Sequence, residues 1–107
     1  MNEISPEFFC RLLPKLQDLP INELFARSVL RRQVQGRVWG NSSEDPALIY
    51  IAHPYGMSLL LGTPTPDQLP ALRAHLLDRN RRPHDEWLQV WPTSVADTLV
   101  SLLGSPL

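Results

Sequence analysis

Apolar residues along this chain fall into short blocks, each closed by proline, glycine or a polar cluster, and their spacing shifts between helix-like and strand-like. Phe8, Phe9, Leu12, Leu13 and Leu16 recur at helical intervals behind Ser5-Pro6-Glu7. That triplet reads as a helix start, with a hydroxyl cap, proline at the first helical position and an acid in the electropositive first turn. Pro14 interrupts the block, so a short or kinked helix is expected, ending before Pro20. A second helix is predicted over about 22–32. Asn22 would cap it, Leu24, Phe25, Val29 and Leu30 would form its apolar stripe, and Arg31-Arg32 suit its negative end.

Beyond Gly36 the period changes. Residues 37–40 read as a short strand and residues 41–46 as a polar loop. Two apolar runs, 47–53 and 57–61, then flank the compact turn His53-Pro54-Tyr55-Gly56-Met57, the pattern of a β-hairpin or tight β-β corner. After the loop Gly62-Thr63-Pro64-Thr65-Pro66, Asp67 starts a third helix. Leu69, Leu72, Leu76 and Leu77 make its inner stripe, with Arg73, Asp78 and Arg79 on the wet face. Residues 80–83 break that helix, and residues 86–91 alternate as a strand that sets Trp87 and Trp91 on one face. Thr93 would cap a last helix with Val95, Leu99, Leu102 and Leu103 inward, and residues 104–107 look like a helix end running into a connection. The order ααβββαβα predicts an α+β fold: one domain with a small, mostly antiparallel sheet and about four flanking helices.

The bulk composition narrows the function classes. The chain has 107 residues, 43% hydrophobic and 20% charged, a globular balance that supports one modest core. A formal charge of -1 provides no global field for nucleic acid or an anionic membrane. Nine of its ten basic residues are arginine, which either a GC-rich genome or arginine's planar pairing chemistry explains. Cys10 is the single cysteine, so an intrachain disulfide and a cysteine-cluster metal site are excluded. No apolar run approaches the roughly 20 residues that span a bilayer, and no secretory pattern opens the chain. A cytoplasmic setting is therefore expected.

The candidate chemistry centres on His53-Pro54-Tyr55-Gly56. In a structural reading, Pro54 presets the turn, Gly56 supplies a positive φ and Tyr55 covers the bend. In a catalytic reading, His53 is a general base and Tyr55 an acid or substrate contact. His53, His75 and His84 are too dispersed for a local metal motif, and His84-Asp85-Glu86 reads as a solvated loop or as a metal-binding or acid–base pair. Arg79, Arg81 and Arg82 complement a helix end or meet phosphate, coenzyme A or RNA. Trp39, Trp87 and Trp91 are candidates for packing or for stacking on a ligand. Ser58 lacks the flanking glycines of a nucleophile elbow, and phosphate-cradling glycine loops of either common spacing are absent.

Taken in order, 24–30, Gly36-Arg37-Val38-Trp39, the run from His53-Pro54-Tyr55-Gly56-Met57-Ser58 to Gly62, and Asp85-Glu86-Trp87 through Trp91-Pro92 resemble a bacterial branch of the GNAT-superfamily N-acetyltransferases, specifically its amino-terminal half. The resemblance covers the chain from about Asn22 onward, and His53 to Leu60 is its most specific part. It implies a mixed α/β fold whose full-length form transfers an acetyl group from acetyl-coenzyme A to an amine. In the superfamily the coenzyme's pyrophosphate rests on a Gln/Arg-x-x-Gly-x-Gly/Ala loop at a helix N-terminus. This chain has no such loop, since Gln33-Val34-Gln35-Gly36 lacks the second glycine and precedes the main sheet. The resemblance therefore implies an inactive amino-terminal part that walls the acceptor side. Its partner would be a missing carboxy-terminal acetyl-coenzyme A-binding half or another chain, and no cofactor residue carries over. The competing expectation is a stand-alone interaction module that forms a homodimer through strand edges or its Trp/Leu surface.

Overall fold

A computed structural model describes residues 1–17, 24–42, 46–54, 56–78 and 87–103. Five strands form one sheet in sequence order: β1 (Asn2–Glu3), β2 (Arg37–Gly40), β3 (Ile49–His53), β4 (Met57–Leu61) and β5 (Trp87–Trp91). The first four are antiparallel neighbours, while β5 joins β4 in parallel. A parallel return needs a long crossover, and α2 (Leu69–Leu77) lies within it. A 3-10 helix (Pro6–Leu16), α1 (Leu24–Leu30) and α3 (Val95–Leu103) complete the α+β fold. Among the described residues no helix is long and apolar enough to cross a membrane.

The two central strands explain why their runs are almost wholly apolar. Ile49, Ile51, Leu59 and Leu61 point to one side, where Phe9, Leu12 and Leu16 of the 3-10 helix and Phe25, Ala26 and Val29 of α1 cover them. Tyr50 and Leu60 point to the other side and join Trp39, with Leu72 and Leu76 of α2 and Val95 and Leu99 of α3. A sheet covered on both faces has no wet face, so the hydrophobic alternation that marks a half-buried strand disappears. Gly62 ends β4 at φ +110°, and a Cβ there would run into the Ala47 carbonyl.

Several local expectations change. Ser5 and Pro6 do open the first helix, but Ser5 makes no side-chain cap; its carbonyl accepts the Phe8 N–H at 3.0 Å. The whole segment is 3-10 rather than α. Pro14 lacks the N–H that an α-helix would send to Cys10, and its ring crowds that carbonyl. Helix α1 stops at Leu30, two residues short of the predicted end, because Arg32 turns to φ +60°. There the Arg32 N–H donates to the Val29 carbonyl at 3.0 Å and the Gln33 N–H to the Ser28 carbonyl at 2.9 Å, a Schellman closure.

Leu24 and Leu77, both placed on inner stripes, are 71% and 49% exposed. Their places in the core are taken by Ala26 at 0% and His75 at 1%. Leu24 is the terminal residue of α1, and Leu77 lies about 100° around α2 from Leu76, away from the sheet. Strand β1 has no apolar signature and pairs Asn2 with Gly40 and Glu3 with Trp39. The Glu3 carboxylate accepts from Arg37 Nε at 3.0 Å and Nη2 at 2.9 Å, tying this edge down by a two-pronged ion pair. That hydrogen bond raises the Arg37 pKa further above its ordinary value. The predicted Asn22 cap, the break at 80–83 and the end at 104–107 lie outside the described residues, as do the side chains of Trp87, Leu102 and Leu103.

Candidate functional site

The corner between β3 and β4 is built by strand pairing. His53 is the last residue of β3 and stands opposite Met57, the first of β4. Gly56 sits at φ +84°, a conformation open to glycine without strain, which closes the turn in the way its sequence predicts. His53 is half-buried, and its ring meets Phe25 of α1 edge-on at 6.4 Å. Tyr55 lies outside the described residues.

Beside this corner lies a pocket of about 260 Å³, lined by Phe25, Met57, Ser58, Leu88 and Gln89. It straddles the first residues of the parallel β4–β5 pair, where Met57 faces Trp87 and Ser58 faces Leu88. Its walls are mainly apolar, with Gln89 as the amide-bearing side chain. That arrangement suits a small, largely apolar organic group.

The opposite sheet face carries a polar group that the sequence reading missed. Tyr50 donates its hydroxyl to Ser58 Oγ at 3.0 Å, both residues being fully buried. Register explains the contact: Tyr50 pairs with Leu60 and Ser58 with Ala52, so the two are diagonal neighbours within reach of a long aromatic side chain. The Tyr50 ring is edge-on to Trp39 at 6.0 Å and to His75 at 4.3 Å, and His75 meets Trp39 at 4.7 Å. His75 Nε2 is shut away from solvent. Ser58 and His75 are therefore interior groups of a packed aromatic layer. The two-residue strand period counted outward from the turn was the available signal, since Tyr50 and Ser58 fall on one face once β3 and β4 pair.

Among the described residues, the two histidines lie on opposite faces of the sheet. His53 lies at the corner, His75 lies in the core under α2, and His84 falls outside the described residues together with Asp85, Glu86, Arg79, Arg81 and Arg82. Among the described residues no three His, Cys, Asp or Glu side chains are grouped to hold a metal ion. Trp39 is buried at 1%, and Trp91 packs against the α1-side core.

The β4–α2 connection leads into a helix N-terminus, the usual setting of an anion cradle. The Gly62 N–H donates to the Trp91 carbonyl at 2.8 Å and the Thr65 N–H to Gln68 Oε1 at 2.8 Å. The Gln68 N–H donates to the Thr65 carbonyl at 2.9 Å, while Pro64, Pro66 and Pro70 have no N–H to offer. The Gly62, Thr65 and Gln68 N–H groups are thus engaged by protein acceptors and are not offered to an anion. Comparison with protein-family models, with curated proteins and with solved structures finds no match for this chain.

Proposed function

We propose that this chain is the amino-terminal part of a GNAT-like N-acetyltransferase, inactive alone, that walls the amine-acceptor side in a larger cytoplasmic assembly. The observation that carries this reading is the position of the His53 corner, at the end of the central hairpin and beside the pocket of about 260 Å³. An imidazole there is partly shielded by Phe25 yet still half-open, as a group that takes a proton from an entering amine must be. In this reading His53 is the base and Tyr55 the acceptor contact or acid. The coenzyme's phosphates belong to a segment other than the β4–α2 connection.

The test begins with the transcript. The reading frame is expected to continue past the Leu107 codon into a Gln/Arg-x-x-Gly-x-Gly/Ala loop. The longer product should release coenzyme A in the presence of an amine, and His53→Ala should slow it about 10²-fold. A frame that closes at Leu107, or one without that loop, refutes the proposal. Calorimetry on the chain alone should detect no acetyl-coenzyme A binding, and micromolar binding would contradict the division of labour.

One observation favours a second reading, a stand-alone dimerisation module. Among the described residues β5 is an edge strand, paired with β4 on one side. Sedimentation of the chain as a monomer across the micromolar range would remove this reading.

A further inference from the structure

We propose that the cleft between the start of the 3-10 helix and the α1–β2 connection binds a small organic carboxylate with an apolar body. The cleft is about 520 Å³, within the roughly 300–1,000 Å³ typical of small-molecule sites. It lies about the Arg32–Arg37 segment and shares no lining residue with the pocket beside His53, and the inference stands independently of the acetyltransferase reading.

Its lining divides by chemistry. Pro6, Phe9 and Val34 supply an apolar wall, and Phe9 is only 3% exposed, so that wall is anchored in the core. Arg32, Gln35 and Arg37 are its polar lining residues, and no acid is among the lining residues. Arg37 is held in place by Glu3 and lies 4.6 Å over the Trp39 ring. Arg32 differs: among the described residues its one recorded bond is from the backbone N–H to Val29, and its guanidinium enters no ion pair. A planar guanidinium fork matches a carboxylate bidentately, and the apolar wall favours an organic anion over inorganic phosphate.

The backbone adds a second reason. Arg32 occupies the left-handed C′ position of the Schellman closure, at φ +60°, where glycine is the usual residue. A side chain there costs about 1 kcal/mol, and this one places its cation on the cleft wall. Gly36 brings the chain close on the far side; a Cβ would lie 2.5 Å from the Ala52 carbonyl and 2.6 Å from Val29. The Ser28 and Val29 carbonyls at the end of α1 are capped by the Gln33 and Arg32 N–H groups, which mutes the negative pole of this short helix beside an anion.

The strain makes the inference testable without unfolding the protein, because Arg32→Gly removes the cation and relieves the backbone together. The ¹⁵N-labelled chain is titrated with benzoate, with benzyl alcohol as the neutral match and with inorganic phosphate. Benzoate should shift the Val34, Gln35 and Gly36 amides saturably with a Kd of about 1 mM or tighter. Benzyl alcohol should leave them unmoved, and phosphate should bind more weakly. Arg32→Gly should keep or raise the melting temperature while weakening benzoate about ten-fold or more. Arg73→Gln, on the exposed face of α2, should leave the Kd unchanged. The proposal is overturned if those amides show no saturable shift up to about 10 mM benzoate. It also fails if benzyl alcohol or phosphate binds equally well, if Arg32→Gly binds as tightly as the parent, or if Arg73→Gln weakens binding equally.

Discussion

The hydroxyl pair inside the aromatic layer permits a double-mutant test of how this sheet is held together. Tyr50→Phe removes the donor and Ser58→Ala the acceptor of a 3.0 Å bond between two residues that are each 0% exposed. Neither substitution changes the packed volume much, so cavity terms stay small. Each single change leaves the other hydroxyl in an apolar layer without this bond, at a cost of about 1–2 kcal/mol. The double change removes both polar groups and should cost little more than the larger single one. The coupling energy is thus expected to be about 1 kcal/mol. Urea unfolding followed by tryptophan fluorescence and circular dichroism measures all four proteins, and unchanged m-values would show that the denatured state is unaffected. Single-variant losses that add to within about 0.3 kcal/mol would refute the reasoning, because the hydroxyls would then not interact.

Three further predictions concern stability. Leu59→Ala, at 0% exposure on the α1 side, should cost about 2–5 kcal/mol in chemical denaturation, whereas Leu77→Ala, at 49%, should stay within about 1 kcal/mol of the parent; equal losses would mean that α2 is rotated from its described position. Gly62→Ala should destabilise by about 2 kcal/mol or more, since φ +110° is closed to alanine and the Ala47 carbonyl occupies the space; a melting temperature equal to the parent's would contradict that loop geometry. Glu3→Gln should lower stability by only about 0.2–1 kcal/mol, because both partners of its ion pair with Arg37 are about half exposed, and the loss should vanish in about 1 M salt. A loss that persists in high salt would indicate a packing role for Glu3.

Local pattern was informative wherever the cause is local. The helix start at Pro6, the turn at Gly56 and the strand runs at 37–40 and 57–61 depend on a residue and its immediate neighbours, and each is found where its signal stands. Stripe assignments failed at their margins. Leu24 and Leu77 are as apolar as the residues that are buried, but whether a helix margin is covered depends on what lies across from it. His75 shows the converse: polar by type, it is buried because the Trp39 and Tyr50 rings meet it edge-on. At the candidate site the corner itself was legible from the spacing of His53, Pro54 and Gly56. Phe25, Leu88 and Gln89 could not be assigned to it, because they come from distant parts of the chain.

By itself, the sequence determined the α+β class, the succession of elements from the first helix onward and the chemical character of the corner at His53. Those follow from hydrophobic period and turn chemistry, which act over a few residues. Only the tertiary structure decided that the hairpin is covered on both faces and that β5 lies parallel beside β4. It also decided that Tyr50 and Ser58 bond across strands and that Arg32 stands strained at the wall of a cleft. Each of those outcomes depends on which distant residues share a neighbourhood, and a one-dimensional pattern does not specify that until the sheet has closed.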